Sequence, residues 1–149
     1  MNRAPIQALA ERLRAVAVNA LPGLLTAAKD LSDDPLAGLC GFAAVGAVHA
    51  AAAMGYGGKV VPGRYHGFRH YWARLDCGLD LDITGPQFHL PPVLVVSKAE
   101  ARRLGYRWSA GGEIGAHDVD IRGYARRYGC RWFPADWWRA AVRGEVVAA

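Results

Sequence analysis

Three side chains suited to acyl-transfer chemistry follow one another in a workable order: Cys40 after a turn-like stretch, His70 in one β-rich run and Asp82 in the next. A thiol attacks as its thiolate, and its pKa falls when it sits at a helix N-terminus beside an imidazole. The residues before Cys40, Asp33-Asp34-Pro35-Leu36-Ala37-Gly38-Leu39, read as a turn, and those after it, Gly41 to Val48, read as a helix. Cys40 is therefore expected at a loop-to-helix junction, where its own backbone N–H, with Gly41 following, is available to a developing oxyanion.

His70 and Asp82 fall in Phe68 to Leu75 and Leu79 to Thr84, two strand-like runs separated by Asp76-Cys77-Gly78. Folding about Asp76 puts His70 opposite Asp82. Folding about Cys77 puts His70 opposite Thr84 with Asp82 as its diagonal neighbour on the same face. A two-residue loop would shift the pairing by one and separate the two onto opposite faces. In the first two registers His70 is placed to take the thiol proton and deliver it to the leaving group, and Asp82 to accept a hydrogen bond from the far ring nitrogen. Trp72, two residues past His70, shares its face as a candidate wall of the site.

Zinc is an alternative use for Cys40, His49, His66, His70, Cys77, Asp82 and His89, but the spacing supports no metal site. Only His66 and His70 stand four apart, in a run that is not helical. No cofactor is expected. His49 reads as a core or groove histidine and Asp118 as a helix cap.

The elements that must position these residues follow from periodicity. Ile6, Leu9, Leu13, Val16 and Ala20 recur at helical spacing from Ala4 to Ala20, Leu24 to Leu31 forms a further short helix, and a small-residue helix starts near Cys40. Short β-rich runs follow at Lys59 to Val61, Phe68 to Leu75, Leu79 to Thr84 and Val93 to Ser97. Ser97-Lys98-Ala99-Glu100 is a capping-box helix start, and Asp118 to Tyr128 and Pro134 to Val142 are helical. Helices, then an antiparallel sheet, then helices predict an α+β fold, with residues 1–149 as a single domain.

The chain has 149 residues, 52% of them hydrophobic, enough apolar surface for one core. The apolar stretch Leu36 to Met54 is better read as a buried helix than a membrane span, because it holds Cys40, His49 and three glycines. Three cysteines, Cys40, Cys77 and Cys130, fit no disulfide framework and point to a reducing, cytoplasmic setting. The formal charge of +5 comes largely from arginines after residue 100. The segment from Tyr124 to Arg139 interleaves arginines with aromatics, a pattern that can serve a protein or nucleic-acid partner but is better read as a helix pair packing Trp132, Phe133, Trp137 and Trp138 inward.

Gly38-Leu39-Cys40-Gly41, His70-Tyr71-Trp72-Ala73-Arg74-Leu75 and Asp82-Ile83-Thr84-Gly85-Pro86-Gln87-Phe88 together resemble the small bacterial YunG-like proteins. More remotely, the Cys, His, Asp order is similar to the papain-like and transglutaminase-like superfamily. The close resemblance spans residues 36–90. It implies a papain-like core with Cys40, His70 and Asp82 as the triad, and little about substrate. The residues themselves add extra helices at both termini, and the chemistry expected of the triad is thiol-dependent cleavage or transfer at an amide bond (peptide, isopeptide or side-chain carboxamide) of a protein or peptide. A glutamine often precedes the cysteine in such proteins, and here Leu39 stands there. Gln87 is a candidate substitute for the missing amide donor, or a cap of the strand-to-loop turn. The reading from another class is a non-catalytic binding module that uses the basic aromatic C-terminal surface, with nucleic acid as the less favoured partner.

Overall fold

The computed structural model describes residues 2–22, 34–129 and 134–144. The expected helix from Leu24 to Leu31, and Cys130, Arg131, Trp132 and Phe133, lie outside them. The architecture is α+β. Helices α1 (Ala4–Ala20) and α2 (Cys40–Ala53) come first. Strands β1 (Gly58–Tyr65), β2 (Phe68–Leu75), β3 (Leu79–Asp82) and β4 (Leu94–Ser97) follow, then α3 (Lys98–Leu104), β5 (Tyr106–Arg107), α4 (Ile121–Tyr128) and α5 (Arg139–Arg143). The five strands form one antiparallel sheet in the order β4-β3-β2-β1-β5. No described helix is long and apolar enough to cross a membrane.

The elements form where the side-chain pattern requires them. Helix α1 buries Ile6, Leu9, Leu13 and Val16, the stripe its periodicity predicts. Helix α2 is apolar on nearly every side, and from Cys40 to Ala51 all but His49 is buried. It packs between the sheet and the flanking helices, and Ala73, Leu75, Leu79 and Leu81 of β2 and β3 share its core. Ser97 and Glu100 form the expected capping box of α3.

Several boundaries differ from the sequence reading for physical reasons. Strand β1 runs on through Pro62 and Gly63 to Tyr65. Gly63 is required there, because a Cβ would sit 2.3 Å from the Trp72 ring. Strand β3 stops at Asp82 instead of Thr84, since the Thr84 N–H and hydroxyl both turn back onto the Asp82 carboxylate. Helix α4 begins at Ile121, and its cap is Asp120, accepting from the Gly123 N–H at 2.9 Å. Asp118 is not that cap: it lies in a short 3-10 turn, and Val119 after it is extended. The two-residue strand β5 was not expected, and α5 is shorter than Pro134 to Val142.

Two buried networks set the sheet against its neighbours. Arg74 of β2 holds Asp80 of β3 through two bonds of 2.7 Å and reaches Glu113 at 2.9 Å, while the Trp72 indole N–H donates to Asp80 at 3.0 Å. On the other side, Arg14 of α1 binds Asp34 at 2.7 Å and the Ile83 carbonyl at 2.7 Å. One guanidinium thus ties the turn before Cys40 to the residue after Asp82.

Removing one partner of a buried ion pair leaves the other charge uncompensated. Asp80→Ala is therefore expected to lower stability by about 3 kcal/mol in urea unfolding. Glu113→Ala, which removes the more exposed partner, is expected to cost under about 1 kcal/mol. Equal losses would show that Arg74 does not depend on Asp80.

Candidate active site

The strand pairs Ala73↔Leu81 and Arg74↔Asp80 show that the hairpin folds about Cys77. Gly78 makes this three-residue turn possible by taking φ +92°, with its N–H bonded to the Leu75 carbonyl at 2.9 Å. Continued by the same alternation, His70 falls level with Thr84, and Asp82 is its diagonal neighbour on the same face. The side chains meet: His70 Nε2 lies 2.7 Å from Asp82 Oδ2.

Asp82 is buried, yet every side of its carboxylate is occupied by a donor. Oδ2 also accepts from the Tyr106 hydroxyl at 2.6 Å, and Oδ1 accepts from the Thr84 N–H and hydroxyl, both at 2.8 Å. Burial would raise its pKa. The charge and hydrogen bond of His70 outweigh that, with help from Tyr106 and Thr84, and hold it at about 2. Burial likewise opposes a charged His70, but Asp82 prevails and raises the imidazole to about 10. Burial and the Asp82 charge push the Tyr106 phenol up, so it stays a donor.

With Nε2 committed to Asp82, only Nδ1 of His70 remains, and it is buried without a hydrogen-bond partner among the described residues. The Cys40 thiol lies close enough to feel the His70 side chain. Burial raises the thiol pKa, but the side-chain contact and charge of His70 outweigh it. The Tyr71 backbone contributes in the same direction, so the net shift is downward. A nucleophile–base contact that is not yet a well-aligned bond is common before substrate binds. Charge on His70 therefore favours the thiolate form of Cys40, with the Asp82 carboxylate behind the imidazole.

Cys40 is the first residue of α2, as expected. Leu39 before it has no side chain able to cap the helix. The cap comes instead from α4: the Tyr124 oxygen accepts from the Gly41 N–H at 3.2 Å, lies 3.5 Å from Cys40 Sγ, and donates its proton to the Gly38 carbonyl. The approach requires glycine at 41, where a Cβ would come within 2.8 Å of the Tyr124 ring. Burial first, then the nearby Cys40 charge, raises the Tyr124 pKa and keeps the phenol protonated.

The other sequence candidates fall as follows. Trp72 stacks on His70, with ring centroids 5.8 Å apart, but it is only 1% exposed. It backs the imidazole and offers no surface to a ligand, because Tyr106 and Trp108 cover it. Gln87 lies in the 3-10 turn Gly85–Phe88; its amide nitrogen is buried with no hydrogen-bond partner among the described residues, and no described contact joins it to Cys40. Cys77 is a free thiol in the hairpin turn. His49 is partly buried and stacks on Trp138. No three His, Cys, Asp or Glu side chains gather into a metal-holding group among the described residues.

Tyr124, Tyr106, Thr84 and Arg14 escaped the sequence reading as site residues. The spacing of Asp82 and Thr84, two apart at a strand end, was a local signal for a side-chain-to-backbone turn. The tyrosines reach the site from distant segments and carried none. No family model, curated protein or solved structure matches the chain.

Asp82 sits at about 2 against 3.8 for its free group, so its contribution is full above pH 3.8 and is lost as pH falls through about 2. Acid unfolding followed by circular dichroism should steepen in that window, and Asp82→Asn should flatten it. Identical acid profiles would overturn the ionised assignment. Tyr124→Phe removes the acceptor of the Gly41 N–H that caps α2, so urea unfolding should show a loss of about 1 kcal/mol, and unchanged stability would show that the cap is not needed.

Proposed function

We propose that the protein is a thiol-dependent hydrolase or acyl transferase acting on an amide bond, with Cys40 as nucleophile, His70 as base and Asp82 as the group that orients the base. The observation that carries this reading is the state of the His70 ring. One nitrogen is fixed by a buried carboxylate, the other is buried with no hydrogen-bond partner among the described residues, and the charge of the ring lowers the thiol of a helix-start cysteine. A helix-borne cysteine packed on an antiparallel sheet that carries the histidine and aspartate also supports a papain/transglutaminase-like core.

In this reading the Cys40 thiolate attacks the amide carbonyl carbon, and the carbonyl π electrons move to oxygen. The backbone N–H of Cys40, the first residue of α2, is the donor this reading assigns to that charge. Collapse of the tetrahedral species breaks the C–N bond, and the His70 Nδ1 proton passes to the departing amine. A thioester remains on Cys40. His70, now neutral at Nδ1, takes a proton from water or an acceptor amine, which attacks the thioester and regenerates the thiolate as the C–S bond breaks. Asp82 stays ionised throughout and keeps the imidazole in one tautomer.

Access distinguishes this from the second reading, a non-catalytic binding module. Cys40 is 7% exposed, and the Tyr124 oxygen stands against both the sulfur and the Gly41 N–H. Catalysis on a peptide requires α4 to draw back from this junction; a binding module leaves it closed.

The discriminating measurement is the pH dependence of iodoacetamide labelling at each cysteine, read by peptide mass mapping. The hydrolase reading expects Cys40 to react well below the free-thiol pKa of about 8.5 and to lose that advantage in His70→Ala. A Cys40 inert in both proteins, with Cys77 reacting normally, favours the binding module.

A further inference from the structure

Beside the buried triad lies an open cleft of about 550 Å³, lined by Pro62, Arg64, Arg69, Tyr71, Arg107 and Trp108 among others. The sheet register builds its charge. Arg64 of β1 is paired with Arg69 of β2 on one side and with Arg107 of β5 on the other. Directly opposite residues in antiparallel strands project to the same face. Three exposed guanidinium groups therefore stand in a row across three adjacent strands.

Like charges directly opposite one another destabilise a sheet. Nothing among the described residues neutralises these: none of the three forms an ion pair, and the side-chain hydrogen bonds of Arg64 and Arg107 go to the backbone carbonyls of Gly67, Arg102 and Tyr106. By contrast, Arg14 and Arg74 each hold a carboxylate. An unopposed row of this kind is the complement of an anionic ligand.

The row also leads toward the thiol. Arg69 and Tyr71 alternate on the face that carries Ala73 and the core of α2. The Tyr71 ring packs edge-on against Tyr124, with centroids 5.9 Å apart, and Tyr124 touches Cys40.

We infer that this cleft is an anion subsite for an acidic peptide, whose carboxylates lie along Arg69, Arg64 and Arg107 while its amide bond reaches Cys40. The link to substrate rests on the hydrolase reading; the binding itself does not. A peptide fits better than a nucleic acid because both aromatic residues that line the cleft are already engaged, Tyr71 edge-on with Tyr124. Its one tryptophan, Trp108, already packs against the guanidinium groups of Arg74 at 4.2 Å and Arg102 at 4.7 Å. Strand β5 is also a short sheet edge, which an extended peptide can follow.

The test has two arms. In the first, a fluorescein-labelled polyglutamate peptide is titrated into the Cys40→Ala protein by anisotropy, with polyglutamine as the neutral control and a single-stranded RNA oligonucleotide as competitor. Polyglutamate should bind with salt-dependent affinity and polyglutamine should not. The Arg64→Gln/Arg69→Gln/Arg107→Gln variant should bind about tenfold more weakly without a lower melting temperature, since it relieves like-charge repulsion. Equal binding by both proteins, or none by either, overturns the subsite, and RNA binding more tightly than polyglutamate through the same arginines overturns the peptide assignment. In the second arm, anionic iodoacetate should gain on neutral iodoacetamide at Cys40 in the native protein and lose that gain in the triple variant. A Cys40 inert to both reagents with polyglutamate binding intact overturns the nucleophile and leaves the anion subsite standing.

Discussion

A carboxylate buried in a protein interior is sustained only when its charge is met on every side, and Asp82 is the point at which this fold meets that demand. His70, Tyr106 and both donors of Thr84 converge on its two oxygens. The consequence runs outward from there. A fixed Asp82 fixes the tautomer and plane of His70, and a fixed His70 leaves one nitrogen for Cys40. The lowered thiol is thus the far end of a chain that begins with desolvation of a carboxylate.

Strand β3 carries two aspartates on one face, and the structure gives them different work. Arg74 and the Trp72 indole claim Asp80, which leaves Asp82 to His70. Trp72 joins the two networks, since its ring stacks on the imidazole while its N–H serves Asp80. Buried ion pairs of this kind are weak sources of stability but strong sources of register. A slip of one residue between β2 and β3 would put both aspartates on the wrong face and strand two cations.

The small residues of α2 serve close approach. Gly41 admits the Tyr124 ring and Gly46 admits Trp137, in each case nearer than a side chain would allow. Through the first of these contacts α4 closes over the cysteine, and the phenol of Tyr124 caps the helix that Leu39 leaves uncapped. The same contact shields the thiol, so any chemistry at Cys40 is coupled to movement of α4.

Much of the arrangement was legible in the sequence because it depends on short-range rules. The helical stripe of α1, the capping box at Ser97 and Glu100, and the start of α2 at Cys40 follow from periodicity and local donors. The shared face of His70 and Asp82 follows from strand alternation once a three-residue turn about Cys77 is allowed, although the sequence left that register open beside two others. What only the tertiary structure decided depends on contacts between residues far apart in the chain. These are the partners of Asp80, the Tyr106 and Tyr124 hydroxyls, the bridge from Arg14 to Asp34 and Ile83, and the arginine row across β2, β1 and β5. Local pattern fixes which way a side chain points within its own element, but which distant group it meets is set by how the elements pack, and the pKa of a buried side chain depends on that meeting.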